Sequence, residues 1–85
     1  MKTFQYTIKD EIGIHARPAG LLAKEAKKYS SKIVLKTEVK SAEATKLMAI
    51  MSLGVKCGQT VEVTVEGEDE DAAFEGIKAF FEQNL

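Results

Sequence analysis

At 85 residues the chain has room for one hydrophobic core, so residues 1–85 are expected to form a single domain. Acids and bases nearly balance, 13 against 12, and a net charge of −1 argues against nucleic acid as the main partner, since such domains carry a basic field. The lone Cys57 has no partner for an internal disulfide; no apolar run approaches the ~18 residues of a membrane span and none follows Met1 as a signal-peptide core, so a cytoplasmic protein without membrane insertion is expected.

Phe4, Tyr6 and Ile8 alternate along residues 2–8 and predict a strand. Asp10 to Gly13 form a loop. Pro18 is tolerated only in the first turn of a helix, and Leu21, Leu22, Ala26 and Tyr29 follow at helical spacing, so a helix is expected from about Ala16 to Lys28. Its polar face carries Lys24, Glu25, Lys27 and Lys28, and Ser30-Ser31 break it. Lys32 to Thr37 reads as a second strand, with a short third strand near 40–43. A short helix runs from Thr45 to about Leu53, ended by Gly54. Val61, Val63 and Val65 alternate within Thr60–Glu66 and give the fourth strand. Gly67 turns the chain, Asp69 stands at the N-cap, and acids in the next turn suit the dipole of a last helix ending near Asn84. In that helix Ala73, Ile77 and Phe80 are expected to face the core, with Phe74 and Phe81 alongside. The order is βαββαβα: an α+β open-faced sandwich, one four-stranded antiparallel sheet with three helices on one face.

The chemistry concentrates in Gly13-Ile14-His15-Ala16-Arg17-Pro18-Ala19-Gly20, which holds the only histidine and the only proline. His15 falls at or just before a helix N-terminus, where free amides and the positive end of the dipole favour an anion. An imidazole is a good nucleophile near neutral pH. Arg17 is a cation placed against the dipole, which suggests an anionic partner, and its planar fork suits phosphate. A phosphoryl group resting covalently on His15 is the chemistry favoured. A metal is not expected: there is no second histidine, and Cys57 belongs to a separate element and reads as a loop thiol.

This run resembles the active-site signature of HPr, the histidine-containing phosphocarrier family of the bacterial sugar phosphotransferase system. Leu47-Met48-Ala49-Ile50-Met51-Ser52-Leu53-Gly54 resembles the family's second helix, and Gly67-Glu68-Asp69-Glu70-Asp71-Ala72 the approach to its last one. The resemblance covers essentially the whole chain as one HPr-like domain. It implies a transfer component without a cofactor of its own rather than a free-standing enzyme. Phospho-enzyme I would donate to Nδ1 of His15, and sugar-specific IIA domains would receive. Ala16 and Arg17 would hold the phosphate. Gly20, Lys24, Lys27, Leu47, Met48 and Met51 would dock partners, and a monomer is expected. Lys24, Lys27 and Lys28 taken alone are a solvated face, and Leu47, Met48 and Met51 taken alone are core candidates. A short helix cannot bury all of them beside Ile50 and Leu53, however, and methionine suits a surface that fits several partners.

The chain departs from the family pattern in three places. Lys46 stands where many members carry a regulatory serine, so that phosphorylation is expected to be absent; Thr45 is a neighbouring hydroxyl. Glu38-Val39 replaces a glycine-containing hairpin turn, and valine disfavours positive φ. Gly20 replaces a common alanine and should weaken the first helix by about 0.5–1 kcal/mol. Two other function classes remain. A regulatory module of the same system, signalling through His15 phosphorylation, would differ only in partners. An RNA-binding domain would need exposed aromatics on its central strands, and Thr60–Glu66 has none.

Overall fold

Seven elements follow one another: β1 (Lys2–Thr7), α1 (Ala16–Ala26), β2 (Lys32–Lys36), β3 (Ser41–Glu43), α2 (Leu47–Ser52), β4 (Thr60–Glu66) and α3 (Glu70–Asn84). The computed structural model describes residues 1–85. The strands form one sheet in the order β1-β4-β2-β3, with every neighbouring pair antiparallel. β4 is thus central, although it is the last strand in sequence.

Register explains the core. Val63 lies opposite Phe4 on one side and Leu35 on the other, while Val65 faces Lys2 and Ile33. Side chains of directly opposed residues share a face. So the valines of β4 join Ile33, Leu35 and the β1 aromatics on the helix side, and all three valines are fully buried. The other face carries Thr60, Glu62, Thr64 and Glu66, with Lys32 and Lys36 on β2, and stays open to water. This is the expected open-faced sandwich, and the central strand presents no aromatic on its open face.

The last helix buries Ala73, Ile77 and Phe81, a stride of four that keeps one face on the sheet. Phe81, not Phe80, is therefore the innermost aromatic. It meets Phe4 at 5.9 Å and Tyr6 at 5.5 Å between ring centroids, both edge-on, which suits the ring quadrupoles. Phe80 is only partly buried against the core. In α1 the buried set is Pro18, Ala19, Leu22, Ala23 and Ala26, so Leu21 points outward rather than pairing with Leu22. The helix stops at Ala26; Lys27 is its C-cap and Lys28 lies beyond it, paired to Glu25 at 3.0 Å. The second helix begins at Leu47, with Lys46 as N-cap, rather than at Thr45. Gly54 follows its C-cap with φ of +63°, the left-handed conformation that ends helices.

Two loops solve local problems in ways that spacing did not suggest. The β2–β3 turn, Thr37 to Lys40, holds no residue at positive φ. Thr37 closes it instead: its Oγ1 accepts the amides of Val39 and Lys40 and donates to the Lys40 carbonyl, a hydroxyl-built turn that tolerates valine. Asp69 occupies the N-cap position of α3, but its carboxylate makes no capping bond there. It accepts from Ser30 and Ser31 across the molecule, while Glu70 accepts the Gly67 amide and pairs with the amino group of Met1.

Candidate functional site

The loop that delivers His15 is fixed from both ends. Asp10 Oδ1 accepts the Ile12 amide at 2.9 Å, and the Gly13 amide donates to the Asp10 carbonyl at 3.0 Å, which folds residues 10–13 into a tight turn. Gly13 then sits at φ of +86° and presses against the backbone after α2. A Cβ there would lie 2.6 Å from the Lys56 Cα and nearer still to the Val55 carbonyl oxygen. No side chain fits. The Ile14 amide donates to that same Val55 carbonyl at 3.0 Å, and Ile14 is buried.

His15 is the N-cap residue of α1, in extended conformation, with φ of −122° and ψ of −176°. Its carbonyl accepts the Ala19 amide at 2.9 Å, the first bond of the helix. Its ring caps nothing, and its side chain is about one-third exposed, 34%. The amides of Ala16 and Arg17 have no turn before them to supply a carbonyl, and Pro18 has no N–H. Two free amides, the positive end of the dipole and an exposed Arg17 that forms no ion pair thus converge beside one imidazole. No acid stands in the first turn to neutralise them. His15, Arg17, Pro18 and Leu21 line a shallow open hollow with Asp10 and Asn84. Such a hollow accepts a small anion without enclosing it.

The residues expected to dock partners divide between two helices that pack on each other. Gly20, half-buried, and the exposed Lys24 lie on α1, with Lys27 just past its last residue. Neither lysine forms an ion pair, unlike Lys28. On α2, Met48 is 76% exposed and Leu47 and Met51 are each 38% exposed, while Ile50 is fully buried. The methionine-bearing face therefore points to solvent. Lys46 is exposed at the start of α2, Thr45 is half-buried, and the Ser52 hydroxyl donates to the Ala49 carbonyl at 2.8 Å. Cys57 is exposed, its Sγ 3.7 Å from the Lys9 carbonyl.

Matched to known sequences, residues 2–83 fit the family model described as the PTS HPr component phosphorylation site. The chain belongs to the HPr family. It is 46% identical to the phosphocarrier protein HPr of Lysinibacillus sphaericus over 77 residues, which cover 91% of this chain and 88% of that one. Among solved structures, HPr-C-His from Thermoanaerobacter tengcongensis superposes with a TM-score of 0.91 at 40% identity, over 98% of this chain and 93% of that one. A second structure, described as an HPr dimer from the same organism, matches with a TM-score of 0.76, also at 40% identity, over 98% and 95%. A relative with the same HPr fold is thus described as a dimer, so the fold alone does not dictate a monomer. HPr proteins are phosphocarriers of the phosphotransferase system. No helix here is long and apolar enough to cross a membrane.

Asp10 and Leu21 line the hollow and Ile12 stands in the loop beside it, three residues that sequence spacing does not assign to the site. Ile12, 68% exposed, sits in a loop with no periodicity to mark it. Leu21 follows the apolar pattern of α1 but lies off its buried stripe; the alanines at 19, 23 and 26 carried the signal that the stripe is narrow. Asp10 reads from spacing as a loop acid, yet an aspartate can accept an amide two residues on and so build a turn from its side chain.

Proposed function

We propose that this chain carries phosphoryl groups on Nδ1 of His15, receiving them from phospho-enzyme I and passing them to IIA domains. The supporting observation is the N-cap placement of His15, with its ring uncommitted beside two free amides and an unpaired guanidinium. In-line transfer between two imidazoles needs little covalent help from the carrier. It needs positioning and charge stabilisation of the phosphoryl oxygens. The Ala16 and Arg17 amides and the Arg17 guanidinium supply both. Their hold must stay modest, because a tightly bound group could not be handed on, and an open hollow meets that need. Leu47, Met48 and Met51 form the apolar part of the docking surface, and Gly20, Lys24 and Lys27 the rest of it. Contacts of this kind are small and transient. The carrier acts as a monomer in this reading. The expected setting is the cytoplasm, where the donor and acceptor domains are found.

The deciding experiment is phosphoryl transfer from phosphoenolpyruvate by purified enzyme I with magnesium. Acid-labile, base-stable phosphate should appear on the wild-type chain and be absent from His15→Ala. No incorporation with a competent enzyme I overturns the proposal.

A further inference from the structure

We propose that Asp10 is a positioning residue for His15: a fixed carboxylate that faces Nε2 and balances the positive charge the ring acquires when Nδ1 is phosphorylated. Asp10 Oδ1 lies 3.9 Å from His15 Nε2, and the two side chains are 31% and 34% exposed. It is the one acid within ion-pairing distance of the ring. This inference rests on the carrier reading given above.

The carboxylate is held unusually firmly for a loop acid. Its Oδ1 accepts the Ile12 amide, its own amide donates to the main-chain oxygen of Leu85 at 2.9 Å, and its carbonyl accepts the Gly13 amide. The Lys9 amide donates to the same Leu85 oxygen at 2.6 Å, and the Leu85 side chain is buried. The end of α3 thereby clamps the segment that bears Asp10. No side chain hydrogen-bonds the ring, so its orientation relative to Asp10 is set by charge and packing alone.

The chemistry gives this geometry a consequence. Nδ1 attacks with its electron pair, the N–P bond of the donor breaks, and that bond's pair returns to the donor's nitrogen. No proton leaves His15. The ring that was neutral with hydrogen on Nε2 becomes a cation bearing phosphate on Nδ1 and the same hydrogen on Nε2. The free amides and Arg17 serve the phosphate; Asp10 faces the other edge of the ring. At 3.9 Å the pair is too long for a hydrogen bond in the resting protein, and a ring shift of about 1 Å makes one once the cation forms.

The test uses Asp10→Asn, whose amide oxygen still accepts from Ile12 and so keeps the turn, with Glu11→Gln as a control that removes an exposed neighbouring charge. With phospho-enzyme I as donor, the equilibrium constant for phosphorylating His15 should fall about 2- to 5-fold in Asp10→Asn, as for a partly exposed ion pair. The deficit should shrink in high salt, and Glu11→Gln should behave as wild type. Equal constants in wild type and Asp10→Asn, or an equal loss in Glu11→Gln, overturn the proposal. A second readout does not depend on enzyme I. After phosphorylation with phosphoramidate, a chemical donor, the Nε2–H proton should exchange with water several-fold more slowly in wild type than in Asp10→Asn when followed by ¹H–¹⁵N NMR. Equal exchange rates there refute the role of Asp10, whereas failure of enzyme I to phosphorylate the wild type refutes only the carrier reading.

Discussion

Asp69 and Ser31 lie 38 residues apart in sequence, and the Asp69 carboxylate accepts both the amide and the hydroxyl of Ser31. With the Ser30 amide at 2.9 Å as a third donor, one side chain ties the start of α3 to the loop between α1 and β2. The Ser31 hydroxyl and the adjoining serine amides hold the Asp69 carboxyl below the usual carboxylate range. Glu70 is held low as well, chiefly by the amino group of Met1 and then by the Gly67 amide.

A group whose folded pKa lies below its unfolded value binds its proton more readily when unfolded. Its contribution to stability is complete above the ordinary carboxylate range of about 4. It is lost as pH falls through the lower, folded value. Urea unfolding of the wild type should therefore show a falling midpoint below about pH 4. Asp69→Asn should be less stable at neutral pH, with a shallower acid loss. Parallel pH profiles for the two proteins would contradict this account.

Gly13 and Gly20 should respond oppositely to alanine. At Gly13 the new Cβ meets backbone atoms of Val55 and Lys56 at a positive φ, so Gly13→Ala should cost about 2–4 kcal/mol. At Gly20 a Cβ would meet nothing within 4 Å, and helical alanine is preferred. Gly20→Ala should therefore gain about 0.5–1 kcal/mol and raise Tm by a few degrees. Thermal unfolding of both variants checks this.

Arg17 is exposed and unpaired, so reversing its charge should spare the fold. Arg17→Glu should unfold within about 2 °C of the wild type. It should slow phosphoryl transfer in both directions by roughly 10- to 100-fold, through loss of charge stabilisation at the phosphoryl oxygens. Stopped-flow or quench kinetics with donor and acceptor proteins give the rates. Unchanged rates would remove Arg17 from the mechanism.

Two neighbours on α2 should separate docking from folding. Ile50 is fully buried, and Ile50→Ala should cost about 2–4 kcal/mol. Met48 is 76% exposed, so Met48→Asp should leave stability nearly unchanged while raising KM for partner proteins several-fold. The two effects are read from denaturant midpoints and transfer kinetics.

Lys46 offers no hydroxyl at the N-cap of α2, and the neighbouring Thr45 is half-buried. An HPr kinase supplied with ATP should add no stoichiometric phosphate to this protein, as read by intact-mass spectrometry. Phosphate on Thr45 or Ser52 would reverse that conclusion.

The fold was legible because each strand and helix carries its own period. Val61, Val63 and Val65 mark a half-buried strand without knowledge of any partner, and Pro18 marks the start of α1 through its missing amide. The placement of His15 and Arg17 at that helix start is legible for the same local reason: both lie within three residues of Pro18. What the sequence alone could not determine were the choices made between distant segments. The buried stripe of α3 ends on Phe81 rather than Phe80 because β1 puts Phe4 and Tyr6 there. Asp69 abandons its own helix because Ser30 and Ser31 come within reach. Asp10 faces His15 because its turn is clamped by Leu85, from the far end of the chain. Local propensity is written in neighbours along the chain, whereas these hydrogen bonds and ring contacts exist only once non-local packing has brought their partners together.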